Sequence, residues 1–339
     1  MSLEQLVRSA AERPLSSVEA ETAFNEVMQG RASPVQITAL LVAMRARGAV
    51  ADEVAGGVRA LRRAMVPLSL VDATGIVDTC GTGGGTLTTF NISTASALLT
   101  SGLGVKVAKH GNRSFSSRCG SADVLEQLGV NLDLQPEQQA RVLDEVGIVF
   151  MFAPNHHPAM RHVGPVRREL GMFTIMNLLG PLTNPAGARR QVVGVSDPLL
   201  LDLVAGALAA LGHEHALVVH GEPGLDELSP LGITDVFEIR NGVIRKSRFD
   251  PKTELGWKGF DERELAGGDP AENAAVIRAV LEGERGGAAR AAVALNSAAA
   301  LLVSGRAADL RDGVAQAEEG LDSGAGWTQL ERLRDATHA

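Results

Sequence analysis

The sequence is poor in several residue types, and each shortage narrows what the protein can be. Tyrosine is absent, and aromatic residues make up 3% of the 339 residues. The two cysteines, Cys80 and Cys119, are too few for a disulfide framework, which favours a reducing cytoplasm. No run of about 18 apolar residues occurs, so we expect no membrane-spanning segment. The N-terminus carries charges throughout and lacks the apolar core of a signal peptide.

An excess of basic residues is also missing. The formal net charge is −8 at pH 7, so non-specific nucleic-acid binding would lack its main driving force. Hydrophobic residues make up 45% of the chain, which is enough for a buried core. The length fits about two domains.

The first 66 residues read as helices only. Ser16, with Glu19 three residues later, has the spacing of a capping box, and Ser33 before Pro34 repeats this pattern. Asp52 is expected to cap a further helix. We therefore predict a small all-helical domain at residues 1–66, completed by helices within about 160–190.

From residue 67 onwards, short apolar segments alternate with helical ones. This alternation predicts an α/β domain at residues 67–339, with a central, mostly parallel sheet flanked by helices. The expected strands are a short run at Ile76-Val77, then 105–108, 148–152, 191–195 and 216–220. The expected helices include 93–102, 121–128, 136–146, 198–211, 271–283 and 287–304.

A glycine-rich loop follows the first of these strands. Residues 80–94 read CGTGGGTLTTFNIST and lead into the helix that begins near Ser93. Amides at such a turn bind anions, but a plain strand-to-helix turn is an equal alternative. The loop lacks the Gly-Lys-Ser/Thr ending of a nucleotide-binding loop and the third glycine of a dinucleotide motif. Asn91, Ser93 and Thr94 could cap the helix, bind phosphate oxygens or, through Ser93, bind a metal.

The charges that the glycine loop lacks occur further along the chain. Residues 109–118, KHGNRSFSSR, follow the expected strand at 105–108 and are dense in hydrogen-bond donors. Because ligands bind at the carboxyl ends of strands in α/β sheets, phosphate binding is favoured over a solvated basic loop. Asp226 and Glu227 follow another apolar strand. Taken alone the pair favours helix capping, but in combination with a phosphate-binding loop it suits Mg²⁺.

A third cluster contains histidines and arginines. His156, His157 and His162 lack a companion ligand at zinc spacing, so a substrate-facing role is favoured over a metal site. Arg167 or Arg168 could hold a carboxylate through two parallel hydrogen bonds. No Gly-x-Ser-x-Gly or Cys-His pattern indicates an activated nucleophile. These features favour displacement of a phosphorylated leaving group by positioning and electrostatics.

Four long motifs occur in a fixed order: GTGGGTLTTFNIST, KHGNRSFSSRCGSADVLEQLG, HPAMRHVGPVRRELGMFTIMNLLGPLTNP and VVHGEPGLDEL. Together they resemble the anthranilate phosphoribosyltransferase family, over nearly the whole chain. The resemblance implies a homodimer with a small helical and a larger α/β domain. It implies transfer of the phosphoribosyl group of phosphoribosyl pyrophosphate (PRPP) onto the amine of anthranilate, a step of tryptophan biosynthesis, with Mg²⁺.

The resemblance also implies roles for individual positions. The residues expected around PRPP are Gly81, Gly84, Gly85, Thr89, Asn91, Ile92, Ser93, Thr94, Lys109, His110, Gly111, Asn112, Arg113, Ser114, Phe115, Ser116, Ser117 and Ser121. The residues expected to contact anthranilate are Gly81, Asn112 and Arg167, with His110 and His157 lining its path. The expected magnesium ligands are Ser93, Asp226 and Glu227.

The chain departs from the family pattern at Gly85-Thr86, where Asp-Gly is usual, and so loses a carboxylate near the PRPP site. Two alternative functions remain. A pyrimidine-nucleoside phosphorylase on the same fold is disfavoured by the Asp226-Glu227 pair and by the HPAM…VRRELG segment. A non-catalytic relative that binds nucleic acid is disfavoured by the net charge.

Overall fold

A central β-sheet organises the chain. The structure is a computed structural model and describes residues 1–84, 87–114 and 118–339. Within these residues the strands are β1 Val77–Gly81, β2 Val107–Gly111, β3 Ile148–Phe152, β4 Arg190–Gly194, β5 His215–Gly221, β6 Thr234–Arg240 and β7 Val243–Phe249. They form one sheet in the order β3-β2-β1-β4-β5-β6-β7. The pairs from β3 to β5 are parallel, and β6 and β7 are antiparallel, so the mostly parallel sheet is confirmed.

Helices cover both faces of this sheet and form the N-terminal segment. In the described residues the α-helices are α1 Leu3–Glu12, α2 Ser17–Met28, α3 Pro34–Arg47, α4 Ala51–Ala64, α5 Ile92–Gly102, α6 Ser121–Gln127, α7 Pro136–Val146, α8 Ala153–His156, α9 Gly164–Leu170, α10 Ile175–Leu179, α11 Leu201–Ala210, α12 Pro251–Glu254, α13 Pro270–Leu281, α14 Gly287–Ser304, α15 Leu310–Asp322 and α16 Ala325–His338. Short 3₁₀ helices lie at Pro158–His162, Gly180–Leu182, Pro198–Leu200 and Glu262–Leu265.

The N-terminal helices begin at side-chain caps. The hydroxyl groups of Ser16 and Ser33 accept the backbone N–H three residues later, so both predicted capping boxes are confirmed. The predicted cap at Asp52 is wrong, because α4 begins one residue earlier and Asp52 lies in its first turn. The carboxylate of Glu53 instead accepts the N–H of Val50, at 3.1 Å.

The cap at Ser33 gives a test of local stability. Ser33→Ala removes the hydroxyl that accepts the N–H of Gln36 at 3.2 Å. We expect the free energy of unfolding to fall by about 1 kcal/mol, measured by urea denaturation. The exposed mid-helix replacement Arg8→Ala is the control and should change it by less than about 0.5 kcal/mol. A Ser33→Ala protein as stable as the control variant would contradict the capping role.

Two apolar clusters lie on opposite faces of the sheet. One contains apolar residues of α1–α4, α9, α10 and α11 together with Val193, Val218 and Ile239 of the sheet. The other contains α5–α7 and α13–α16 together with Val77, Val192 and Leu217. Helices α9 and α10 contact α3, and α10 also contacts α4. The helical segment and the sheet are therefore joined through a shared core, and the domain boundary at residue 66 stays a prediction.

Helix α14 is the most apolar long helix among the described residues. By length and composition it is long and apolar enough to cross a membrane, with a mean hydropathy of 1.3. However, 78% of its 18 residues are buried inside the fold, between α5, α15 and the sheet. This burial is what the core helix of a folded domain requires.

Candidate active site

The predicted site residues converge at the carboxyl edge of the sheet. The order of the strands reverses at β1, which lies between β2 on one side and β4 on the other. In open α/β sheets this reversal point leaves a crevice where ligands bind. The glycine loop follows β1, the basic segment ends β2, and the Asp226-Glu227 pair follows β5.

The basic segment begins inside a strand rather than after it. The sequence predicted a strand at 105–108, but β2 runs from Val107 to Gly111 and includes Lys109 and His110. The prediction was wrong because polar side chains such as those of Lys109 and His110 usually mark the end of a buried strand. Both side chains are in fact buried, with exposed fractions of 3% for Lys109 and 7% for His110.

The two adjacent carboxylates contact the glycine loop and the helix that follows it. Asp226 accepts a hydrogen bond from the N–H of Gly83 at 3.2 Å, and Glu227 accepts one from the N–H of Ser93 at 3.1 Å. Burial raises the pKa of both carboxyl groups, and the charge of Asp226 raises that of Glu227 further. Two like charges in a desolvated position are stabilised by a nearby cation.

Lys109 supplies one positive charge beneath the glycine loop. Its Nζ donates to the carbonyl oxygen of Thr79 at 2.5 Å and to the hydroxyl of Ser93 at 3.3 Å. Burial lowers the pKa of Lys109, while the nearby carboxylates of Asp78 and Glu227 oppose that shift. The ammonium group therefore lies against the same serine as Glu227. Direct contact of Lys109 with PRPP stays a prediction.

The expected metal ligands are all oxygen donors. Within the described ranges, no three His, Cys, Asp or Glu side chains gather closely enough to hold a metal ion. What gathers is the adjacent pair Asp226 and Glu227, of which Glu227 lies against the backbone N–H and the hydroxyl of Ser93. Mg²⁺ prefers oxygen ligands and commonly takes one or two carboxylates while substrate phosphates and water complete its shell. The donor set fits this ion and does not fit zinc.

Two glycines leave no free space for a side chain beside the carboxylates. A Cβ added to Gly81 would lie 2.8 Å from Oδ2 of Asp226, and a Cβ added to Gly194 would overlap the backbone carbonyl of Asp226. Gly84 has a φ of +82°, a conformation that favours glycine. The close packing explains why small residues occur where the loop meets the acidic turn. The predicted residue Gly85 and its neighbour Thr86 lie outside the described residues.

The loop after β2 is held by internal contacts. Arg113 forms an ion pair with Asp123 at 2.9 Å and another with Glu126, so its charge is partly neutralised within the protein. The carbonyl of Asn112 accepts from the hydroxyl of Ser121 at 3.3 Å, and the N–H of Ser114 donates to Asp123. Gly111 is the last residue of β2. Phe115, Ser116 and Ser117 lie outside the described residues.

The three histidines of the predicted cluster differ in burial: His156 and His157 are buried, and His162 is partly exposed. His156 is buried and bonds at both ring nitrogens, to the carbonyl of Val66 and the side chain of Gln139, each at 2.8 Å. The ring of His157 lies 5.0 Å from that of His110. Within the described residues neither His110 nor His157 has a partner at Nε2. Burial lowers the pKa of His157 to about 4 and that of His110 below its usual range, so both rings are neutral.

The two candidate arginines are distinguished by exposure. Arg168 is exposed, whereas Arg167 is half-buried, and burial lowers its pKa. A partly desolvated guanidinium binds a carboxylate more strongly than one in open solvent. The structure therefore favours Arg167 over Arg168 for the predicted anthranilate contact, which stays a prediction.

Side chains at the start of α5 complete the glycine segment. Ile92 and Thr94 are buried in the first turn of that helix. Thr89 forms an isolated β-bridge with Ala266. Asn91 donates to the carbonyl of Cys119 at 3.3 Å and accepts from the side chain of Asn273 at 2.9 Å.

Sequence reasoning missed the residues that support the site from distant elements. Asn273 of α13 is one, and Asn296 of α14 is another. The side chain of Asn296 accepts the N–H of Leu228 and donates to its carbonyl, both at 2.9 Å, and so fixes the backbone directly after Glu227. The available signal was a single amide side chain in the middle of an alanine-rich helix.

Comparisons with known proteins agree with this architecture. A family model described as "Glycosyl transferase family, helical bundle domain" matches residues 2–65, and "Glycosyl transferase family, a/b domain" matches residues 73–327. An anthranilate phosphoribosyltransferase of Roseiflexus sp. (strain RS-1) is 49% identical over 330 residues, 97% of this chain and 96% of that protein.

Two solved structures resemble the whole chain. The crystal structure of anthranilate phosphoribosyltransferase from Thermus thermophilus has a TM-score of 0.93 and 44% identity, and covers 98% of this chain and 99% of that one. Anthranilate phosphoribosyltransferase from Saccharomyces cerevisiae in complex with PRPP and Mg has a TM-score of 0.90 and 26% identity, and covers 99% and 98%.

The fold and the site define a glycosyl transferase built from a helical bundle and an α/β domain. Within that class, the chain belongs to the anthranilate phosphoribosyltransferase family. The resemblance found in the four sequence motifs is thereby confirmed.

Proposed function

We propose that the protein transfers the phosphoribosyl group of PRPP to the amine of anthranilate, giving N-(5-phosphoribosyl)anthranilate and pyrophosphate, in tryptophan biosynthesis. The observation that carries this proposal is the meeting of the Asp226-Glu227 pair with Gly83 and Ser93 beneath the glycine loop. It holds two carboxylates suited to a cation against the glycine loop and the first turn of α5, at the carboxyl edge of the sheet.

The residues present suit a reaction that is driven by positioning. The aniline amine of anthranilate is neutral at pH 7 and already nucleophilic, so a strong protein base is not required. Departure of pyrophosphate is the demanding step, because charge develops on the leaving group. Ser93, Asp226 and Glu227 are the residues that would hold Mg²⁺. When bound, that ion neutralises phosphate charge and orients the pyrophosphate.

The neutral histidines suit the path of anthranilate. His110 and His157 lie close together near the carboxyl end of β2. Because both rings are neutral, they would not bind the anthranilate carboxylate by charge on its way into the site. Arg167 is the residue proposed to bind the anthranilate carboxylate.

The activity assay uses the fluorescence of anthranilate, which is lost when the amine is ribosylated. We expect loss of fluorescence only with PRPP and Mg²⁺ present together. Folded protein without turnover under these conditions would count against the proposal. Phosphorolysis of thymidine or uridine would instead favour a nucleoside phosphorylase, and salt-sensitive DNA binding without turnover would favour a nucleic-acid-binding relative.

Arg167 offers a test of substrate assignment. Arg167→Ala should raise the KM for anthranilate by about 10-fold or more and the KM for PRPP much less, because it removes a charged contact to the carboxylate. Arg168→Ala on the same helix is the matched control, because its side chain is exposed. Equal effects of Arg167→Ala on both KM values would move the carboxylate contact elsewhere.

The remaining proposals concern the oligomeric state and the cellular location of the protein. We propose a homodimer, on the strength of the sequence resemblance, and light scattering with size-exclusion chromatography would test it. A cytoplasmic location is proposed from the same resemblance and from the two cysteines.

A further inference from the structure

The sheet is split between the neighbouring strands β1 and β2. Strands β1 and β2 are neighbours and lie wholly within the described residues, but their pairing covers only Val77 and Val107. By contrast, β1 pairs with β4, and β2 with β3, along their whole lengths. The split therefore opens towards the carboxyl ends of the strands, beside the candidate active site.

Side chains bridge this split in place of the backbone ladder. The carboxylate of Asp78 in β1 accepts the backbone N–H of His110 in β2, at 3.1 Å. In the opposite direction, the Nζ of Lys109 in β2 donates to the backbone carbonyl of Thr79 in β1, at 2.5 Å. Buried backbone groups must be hydrogen-bonded, so these contacts replace the bonds that the ladder would have made.

Asp78 also reaches the strand on its other side. Its second carboxylate oxygen accepts from Nε2 of Gln191 in β4, at 3.1 Å, and the same nitrogen donates to the carbonyl of Pro181 at 2.6 Å. Asp78 is 0% exposed and Gln191 is 1% exposed. One carboxylate thus connects three adjacent strands at the level where the site residues begin.

Because of the split, the Asp78 carboxylate can affect the geometry of the candidate active site as well as the stability of the fold. An unbroken ladder would fix the spacing of β1 and β2 through many backbone bonds, whereas here the spacing depends on a few side chains. Lys109 and His110 are the residues next to the bridge, and a small displacement of reacting groups can cost about 100-fold in rate. The residue that sets the spacing therefore sets the geometry of the site.

We propose that Asp78 is a positioning residue for the transfer reaction, because its carboxylate holds the carboxyl end of β2, with Lys109 and His110, at a fixed distance from β1. This inference rests on the proposed function. Asp78 does not touch the substrates and acts through the backbone of His110.

The test compares Asp78→Asn with a matched buried control. Asparagine keeps the shape of the side chain but removes its charge and turns an amide donor towards His110 or Gln191. The control, Gln329→Leu, removes buried bonds to Ser101 at 2.8 Å and to the carbonyl of Val146 at 2.6 Å, near the amino end of β3. The measurements are kcat/KM for both substrates, Tm, and hydrogen exchange of the His110 amide.

We expect Asp78→Asn to lower kcat/KM by about 10- to 100-fold and to speed exchange of the His110 amide by about 10-fold or more. At a comparable loss in Tm, Gln329→Leu should change kcat/KM by less than about 2-fold. A kcat/KM of Asp78→Asn within about 2-fold of wild type, or a loss of kcat/KM no larger than that of Gln329→Leu, would overturn the inference.

A second variant keeps the inference testable if Asp78→Asn does not fold. Gln191→Met removes one donor to Asp78 while keeping the carboxylate, and should lower kcat/KM by about 3-fold or more; an unchanged value overturns the inference. If the wild type has no turnover with PRPP and anthranilate, the proposed function fails separately. Exchange of the His110 amide then decides whether Asp78 holds β2: faster exchange supports this, and unchanged exchange excludes it.

Discussion

Replacing Asp226 with asparagine and Glu227 with glutamine together is expected to lower kcat/KM by at least about 100-fold. The amides keep the shape of the side chains and can still accept the N–H groups of Gly83 and Ser93. They remove both negative charges, however, and with them the attraction for Mg²⁺. The loss should therefore appear in activity and in the response to Mg²⁺, while circular dichroism and Tm stay close to wild type.

Calorimetric titration of Mg²⁺ in the presence of PRPP gives a second measurement for this double variant. Binding should weaken by about 10-fold or more if the two carboxylates hold the ion. The control is Asp235→Asn on β6, which removes a partly exposed ion pair with Arg248 of β7. An unchanged Mg²⁺ response in the double variant would remove the metal assignment of Asp226 and Glu227.

The second large effect is expected at Gly194. This residue ends β4 and pairs with Gly81 of β1 and Val219 of β5, so its backbone is fixed on both sides. A Cβ at this position would overlap the backbone carbonyl of Asp226. The overlap can be relieved only by moving the acidic turn. We therefore expect Gly194→Ala to lower kcat/KM by about 10- to 100-fold and the free energy of unfolding by about 1–3 kcal/mol.

A second glycine gives the matched control for this substitution. A Cβ added to Gly286 would have no atom within 4 Å, and the residue has a φ of −93°, so alanine fits there. Gly286→Ala should leave kcat/KM close to wild type and lower the free energy of unfolding by at most about 1 kcal/mol, because Gly286 is the N-cap of α14, where alanine is less favourable than glycine. A Gly194→Ala enzyme with normal kinetics would mean that the acidic turn can move without loss of function.

Elements with local signals were predictable from the sequence. The helices at 136–146 and 287–304 have the predicted bounds, because Pro136 favours the first turn of one helix and Gly305 ends the other. The strand at 148–152 also has its predicted bounds, as expected for an unbroken apolar run. The β6–β7 hairpin was not predicted, because the outer strand reads VIRKSRF and is exposed at six of its seven positions.

The sequence predicts the separate segments of the candidate site but not the contacts between distant residues that hold them together. The acidic pair and the glycine loop were placed at strand ends by local patterns alone. Nothing local indicates that Arg113 pairs with Glu126, 13 residues away, or that Asn296 binds the backbone 68 residues before it. A charged residue within the apolar strand Ile76-Val77-Asp78 was a signal for a buried polar network, but its partners come from distant elements.

The exposed strand β7 has a consequence for how copies of the chain meet. It is the last strand of the sheet, so its outer backbone groups are open to pairing with another chain. Arg245, Lys246 and Arg248 line this short stretch, and Lys246 and Arg248 are held by Asp202 and Asp235. A second copy approaching edge to edge would bring cations against cations. Pairing of this edge with the same edge of a second copy is therefore disfavoured, and the proposed homodimer is expected to form through another surface.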